Sequence, residues 1–453
     1  MGVQLALYAQ LAFFLLIAVP FLLNRRASLF HPLSFYLLFH FIVFVLRPFM
    51  VHYLKFDGRW IYMRYFPSDD EFAFTLLVSS VALLVFSLCC WFFGRSNVPP
   101  ALPTLRFPDF TSKERKAYNW TLLLLGPLTL FSMLFASQDI VVNDVGDIQM
   151  TQDMATGITI YVNTTGYVVD AQTMFGSLAV LTMWRFRFAI WTWLPIVFFV
   201  LYRGFLGGGR WPMITTMLTI LLIYLYRTRK RWFRVRYLAV LLPLFVFFQN
   251  IGLDRNYFRD MIDGGQRVVH QIPEERTWLQ QQDNPDFANF EFLAFILNVV
   301  PERSGTYTYF TQYLQIFTEP IPRILWSEKP IGAPIQLINL NNYGNFIGLT
   351  NSLAGDGWLS FGWVGLVITM ALVGLFLGWL HRRFWSNISN VRIVVTYCTF
   401  IPLTVLWFRD GGISIAKTAL FTLLPIFIWR GLVRLIARPT AIHGKVAQFH
   451  SER

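Results

Sequence analysis

Charge is scarce in this chain. Only 14% of its 453 residues are Asp, Glu, Lys or Arg, while 55% are hydrophobic and 18% aromatic. That balance excludes a soluble domain of this length and fits a polytopic helical membrane protein. Cysteine is nearly absent. Cys89, Cys90 and Cys398 all fall inside apolar runs, which excludes a disulfide framework and a cysteine metal site. There is no P-loop, so nucleotide-driven transport has no support, and no HExxH or Cys/His cluster for a zinc hydrolase. GxSxG is missing, and so is the DxD pair of metal-bound nucleotide-sugar transferases. No metal and no cofactor is expected.

What is present is a series of long apolar runs: 5–23, 31–50, 71–93, 119–136, 165–184, 188–204, 211–227, 237–252, 357–380, 391–408 and 413–431. They predict an all-α membrane protein of about eleven spans. The first run lacks a basic leader and a small-residue cleavage site, so it reads as a retained helix. The net charge of +13 raises nucleic acid as a partner, but the basic residues cluster at span ends, so none is expected. Arg25 and Arg26, Arg95 to Lys116, Arg185 and Arg187, RTRKRWFRVR (227–236), His381 to Arg383, and the tail with Arg434, Arg438 and Lys445 all fall on one side when every span is counted. That side is expected to be cytoplasmic. The layout is then a bundle over 1–252, an outer loop over 253–356, further spans over 357–431 and an inner tail over 432–453.

The loop of roughly a hundred residues is too long for a mere connector. Within it, DFANFEFLAFILNVV (286–300) and YTYFTQYLQIF (307–317) read as amphipathic, aromatic segments suited to lie at the lipid headgroups. IPRILWSEKPIG (321–332) follows them, outside and close to the membrane surface.

Three glycine-containing turns share a design: RGFLGGGRWP (203–212), AGDGW (354–358) and RDGG (409–412). Each is expected to open a helix that starts on the outer face. Free N–H groups and the positive dipole end then favour an anion, glycines shape an N–H-lined nest, and Pro212 suits a first turn. Arg203, Arg210 and Arg409 add planar phosphate donors. Taken singly, each turn fits a headgroup anchor equally well. Together with Arg323, Arg303 and Lys329 of the loop they favour a membrane-embedded diphosphate. Among other ionisable residues, His40 reads as a buried, hydrogen-bonded side chain. Arg47 and Asp170 sit near outer span ends and fit simple solvation. Glu291 and its acidic neighbours in the loop read mainly as soluble surface, and Glu302 and Arg303 as a pair.

These residues carry a family resemblance. GGGRWPMITTMLTILLIYLY (207–226) resembles the Gly-Arg turn of the bacterial O-antigen polymerases, the Wzy family. IPRILWSEKP resembles the family's loop segment, GLTNSLAGDGWLSFGWVGLVITMALVGLFLG (348–378) its following outer turn and Gly-rich span, and RDGG its basic turn before the last helix. The paired arginine-to-glycine loop motif described for some members is not evident. The resemblance implies polymerisation of undecaprenyl-diphosphate-linked repeat units at the periplasmic face of the inner membrane, with undecaprenyl diphosphate leaving. It implies a metal-independent, inverting glycosyltransferase of the integral-membrane C-type fold, with a chain-length regulator as partner. Arg210, Arg323 and Arg409 are then expected to stabilise the leaving diphosphate, and Arg203, Arg303, Lys329, Gly208 and Gly209 to hold the substrate. Asp356 is the expected general base, with His270 and Asp410 as rivals. An O-antigen ligase and a lipid-linked sugar flippase are the alternatives. The single loop histidine, His270, leans against the ligase, and the sparse charge within the spans against the flippase.

Overall fold

The computed structural model describes residues 2–95, 109–143, 150–152, 159–161, 170–205, 211–234, 283, 287–318, 321, 325–326, 337–346 and 349–437. Twelve helices organise them: α1 (Val3–Leu23), α2 (Pro32–Leu54, with a π-helical turn at Phe41–Leu46), α3 (Gly58–Met63), α4 (Asp69–Gly94), α5 (Ser112–Asn143), α6 (Met174–Arg185), α7 (Leu194–Phe205), α8 (Trp211–Thr228), α9 (Asn289–Val299), α10 (Ser352–Ser386), α11 (Val391–Asp410) and α12 (Gly412–Ala437). Short 3-10 turns and one antiparallel strand pair, β1 (Met150–Gln152) with β2 (Thr159–Tyr161), complete the described chain.

Among the described residues, seven helices are long and apolar enough to cross a membrane: α1, α2, α4, the Ser112–Leu134 part of α5, α10, α11 and the Thr418–Ala437 part of α12. They match seven of the expected spans. The expected spans 165–184 and 188–204 contain instead the 12-residue helices α6 and α7. At 1.5 Å per residue each is about 18 Å long, short of the ~30 Å hydrocarbon layer. Helix α8 has the length but is more polar, with four threonines among its 18 residues. The run 237–252 lies outside the described residues.

Helix ends follow local chemistry. His31 caps α2 by accepting the Leu33 N–H at 3.2 Å, and Pro32 occupies the first turn. Ser68 and Glu71 form a capping box at the start of α4, where Asp69 and Asp70 add favourable negative charge. The helices meet through small residues. A Cβ on Gly374 would lie 2.9 Å from the Phe86 carbonyl oxygen, and one on Gly378 would lie 2.8 Å from that of Cys90. That glycine face lets α10 lie against α4 at backbone distance, the packing mode that suits lipid, where apolar side chains gain little by leaving the bilayer.

The basic span ends gather at one end of the bundle, as the charge pattern anticipates. Leu29 N–H donates to Arg231 O, Arg187 pairs with Asp109, Tyr226 donates to Ile388 O at 2.6 Å, and Arg392 lies 3.8 Å from Glu114. The other end holds α9. This helix is not an interfacial one: every residue from Asn289 to Val299 except Asn298 is buried, against α4 and α10. Apolar and aromatic side chains on most faces of this helix favour full burial over half-immersion in headgroups, and its Asn289 and Glu291 find buried partners there. The 307–317 segment folds as a 3-10 turn, Thr311–Leu314, and a short helix, Gln315–Thr318, against α12.

Candidate functional site

The site is assembled around a bend in α10. The backbone leaves helical geometry at Phe361 and Gly362, which divides α10 into a first segment, 352–360, and the long span. AGDGW is therefore not a turn. It lies inside the first segment, and all five residues are buried. The turn expected there sits further on, at Gly362 with φ +56. Its glycines serve close packing: a Cβ on Gly357 would come within 2.8 Å of Leu366 Cα across the bend, and one on Gly362 within 2.9 Å of the Tyr307 hydroxyl. The loop below is clamped to the bend. Thr308 and Tyr309 N–H donate to the Leu359 and Ser360 carbonyls, and Gln312 Nε2 donates to Ser360 Oγ at 2.8 Å.

This segment carries Asp356, which is 2% exposed. Its Oδ2 accepts the Gly412 N–H at 2.7 Å, and its Oδ1 accepts from Asn351 Nδ2 at 3.2 Å. Gly412 is the first residue of α12, so Asp356 already occupies the anion-receptive end of that helix. RDGG does open α12, as expected, but Arg409 and Asp410 complete α11 and only Gly411 makes the turn. Tyr313 is the third neighbour. It shares a hydrogen bond with Asp356, and burial and the carboxylate's charge push its hydroxyl pKa well above the ordinary value.

Arg409 stands beside this turn with its side chain 13% exposed. It lies 3.1 Å from Asp410 Oδ1, and its guanidinium stacks over the Trp211 ring at 4.9 Å. Trp211 begins α8 and directly follows Arg210 in the chain. The start of α8 therefore lies beside the turn before α12. Asn289, at the start of α9, locks the junction: its Nδ2 donates to Arg409 O at 2.8 Å and to Thr350 Oγ1 at 2.9 Å.

A family model for the O-antigen polysaccharide polymerase Wzy matches residues 2–433. The chain belongs to that family. Neither a curated protein nor a solved structure matches it.

The Wzy-family chain brings only some of the expected residues to this place. Asp356 and Arg409 share it. Arg303 is exposed and belongs to a different cluster. Instead of pairing with Glu302, it donates to Asn298 Oδ1 at 3.2 Å and stacks over Tyr343 at 5.4 Å, while Asn298 in turn donates to Glu71. Arg203 lies in α7 near its C-terminal end. Arg210, Gly208, Gly209, Arg323, Lys329 and His270 lie outside the described residues; of the IPRILWSEKPIG stretch, Ile321, Leu325 and Trp326 are described, all exposed.

Two further expectations are overturned. Arg47 is not solvated: its side chain is 3% exposed, Nε donates to Glu291 Oε1 at 2.8 Å, Nη2 donates to Asp283 Oδ1 at 2.7 Å and also to Glu291, and the guanidinium lies over Phe56 at 5.3 Å. Glu291 is fully buried as Arg47's partner and is not surface. Burial raises its pKa and Arg47 opposes that. Reading the sequence also missed Asn289, Asn351, Gln312 and Tyr313, for which no local signal exists: each matters only through a partner distant in the fold. His40 is buried against Gln10 at 3.2 Å, as expected.

Proposed function

We propose that this protein joins undecaprenyl-diphosphate-linked oligosaccharide repeat units into O-antigen-type polysaccharide at the periplasmic face of the inner membrane, releasing undecaprenyl diphosphate. The observation that carries the proposal is the junction of Arg409, Trp211 and the Asp356–Gly412 contact, where the starts of α8 and α12 come together. Family membership supports polymerisation; the lipid diphosphate and the face of the membrane are inferences from the chemistry of this junction and from the basic residues at the far end.

The reaction moves an acceptor hydroxyl onto the anomeric carbon of the donor chain. The bond from that carbon to the diphosphate oxygen breaks, the electron pair leaves with the diphosphate, and the hydroxyl proton goes to a base. Attack opposite the leaving group inverts the anomeric centre. Diphosphate is already a good leaving group, so the protein's task is to stabilise its growing charge and hold the hydroxyl in line. Arg409 supplies a guanidinium for the first task, and Arg210, which precedes Trp211 in the chain, is assigned to the same task. The reading routes this charge through guanidinium and helix N–H groups, with no metal. Arg323, Lys329, Arg203, Gly208 and Gly209 are retained as substrate-binding residues of the proposal. Arg303 contributes from the Asn298 cluster along the path of the glycan. Asp356 is assigned as the proton acceptor, in preference to Asp410, which is tied to Arg409. The integral-membrane C-type glycosyltransferase fold and a chain-length regulator belong to the same proposal.

The test is complementation of a strain lacking the gene. Arg409→Ala is expected to insert normally and to lower polymerisation by about two to three orders of magnitude, the usual effect of losing one donor to developing charge. Single repeat units then reach the cell surface in place of long chains. Normal chain lengths in Arg409→Ala and Arg210→Ala would refute the assignment, and full-length lipid-linked glycan accumulating in the deletion strain would identify a ligase instead. Asp356→Asn keeps an acceptor for the Gly412 N–H, removes the charge and trades the acceptor facing Asn351 for a donor. Loss of long chains in a stably inserted Asn variant supports a proton acceptor, and full activity reduces Asp356 to a structural pin.

A further inference from the structure

At the bundle end that the glycan chemistry does not use, Arg430 lies half-buried between α12 and α11. Its Nη1 donates to Thr396 Oγ1 at 3.0 Å, and that hydroxyl gives its own proton to Arg392 O at 2.6 Å. A full charge is thus met by a neutral group. The charges that act on Arg430 are those of Arg434 one turn on in α12, Arg392 at the start of α11 and Arg383 at the end of α10, and all three are positive. Among the described residues, Glu114 is the carboxylate that reaches this group. Its Oε1 lies 3.8 Å from Arg392 Nε, beyond hydrogen-bond distance, while its Oε2 accepts the Thr111 N–H and hydroxyl. Guanidiniums within reach of one another and so weakly compensated repel, and an anion from outside the chain relieves that repulsion.

The neighbours set the depth at which that anion sits. Arg383 lies over the Trp379 ring at 5.5 Å, and Trp379 is 41% exposed on α10. A half-exposed tryptophan with an arginine on its face marks the headgroup layer of a bilayer. On α12, Leu420, Phe427 and Arg434 recur every seven residues and share one face. Leu420 and Phe427 are exposed, as side chains that meet acyl chains are, and Arg434, also exposed, ends their stripe. Arg430 flanks the stripe on the side of α11. Apolar surface thus runs along the spans up to a cationic patch at their ends, which matches the layout of a phospholipid and offers a free ion no more than the patch.

We propose that this patch is a binding site for an anionic phospholipid. The phosphodiester takes N–H donors from Arg430 and Arg434, Arg392 and Arg383 add attraction from α11 and α10, and an acyl chain lies along Phe427 and Leu420. The inference stands independently of the glycan reading.

The full chain is placed in nanodiscs of phosphatidylcholine with increasing phosphatidylglycerol, and thermal unfolding is followed at constant ionic strength, each variant against its own value in phosphatidylcholine. The unfolding temperature is expected to rise and to saturate with phosphatidylglycerol. Arg430→Gln with Arg434→Gln is expected to move half-saturation to at least a fivefold higher lipid fraction. Arg434 is exposed, so Arg434→Gln alone repeats the test with the least perturbation and shifts the same way. Arg26→Gln, an exposed arginine of the same basic end outside the patch, is expected to leave half-saturation unchanged, which separates a site from the general attraction of a basic end to an anionic surface. No saturable rise overturns the proposal, and so does a shift in Arg26→Gln equal to that in Arg434→Gln. A rise with inorganic phosphate on phosphatidylcholine discs, with none from phosphatidylglycerol, also overturns it and assigns a free anion instead.

Discussion

Gly411→Ala tests whether the turn between α11 and α12 holds the site together. Gly411 has φ +85 and ψ −177, a region that only glycine occupies freely, and forcing another residue there costs about 1–3 kcal/mol. A Cβ at this position would overlap the Asp356 carboxylate, with Cγ 2.7 Å away. The carboxylate then withdraws and loses the Gly412 N–H, a bond to a charged group worth about 1.5–3 kcal/mol. The two effects sum to about 2.5–6 kcal/mol at one methyl group, beside both Arg409 and Asp356. The assay pairs thermal unfolding of the purified full chain with the glycan ladder of a complemented deletion strain. Unfolding several degrees lower and loss of long chains are expected. Gly431→Ala is the control: it lies within α12, nothing stands within 4 Å of an added Cβ, and alanine favours a helix by about 0.5–1 kcal/mol. If Gly411→Ala and Gly431→Ala behave alike in both measurements, the Asp356–Gly412 contact does not organise the site.

Other substitutions probe the supports. Arg47→Ala strands Glu291 and Asp283 as buried carboxylates and is expected to cost about 3–5 kcal/mol, seen as poor accumulation and early unfolding; adding Glu291→Gln restores part of it. Asn289→Ala removes the donor to Arg409 O and Thr350 Oγ1, a loss of about 1–3 kcal/mol, and chain length is expected to shorten in variants that still accumulate.

The spans were legible because a bilayer demands long apolar runs, and seven appear where the runs lie. The gathering of basic ends was legible for a similar reason: charge bias along the chain needs no tertiary knowledge. RDGG was legible as the start of α12. The bend at Phe361–Gly362 was not, because AGDGWLSFG offers several glycines and the choice depends on Tyr307 and Leu366 packing across it. Nor was the burial of Arg47, whose partner Glu291 lies 244 residues away. An arginine near a span end and a glutamate in an aromatic stretch each read as solvated until folding places one against the other. The same holds for Asn289, an unremarkable loop residue by sequence that ties the Arg409 carbonyl to the Thr350 hydroxyl.

The internal pairing of charge at the Asp356 end bears on turnover. At the Asp356 end, the groups suited to an anion already have internal partners: Gly412 N–H has Asp356, and Arg409 has Asp410 and the Trp211 ring. A diphosphate arriving there exchanges partners and does not fill an empty positive site. Such exchange lowers net affinity for the ground state, because each new contact is offset by one released. Under the proposed function this is favourable, since a product diphosphate held by uncompensated arginines would leave slowly, and only interactions stronger in the transition state accelerate the transfer. It follows that Asp410→Asn, which frees Arg409 from its carboxylate, is expected to tighten binding of lipid diphosphate while slowing turnover. Tighter binding with faster turnover would show that the internal pairing plays no part in release.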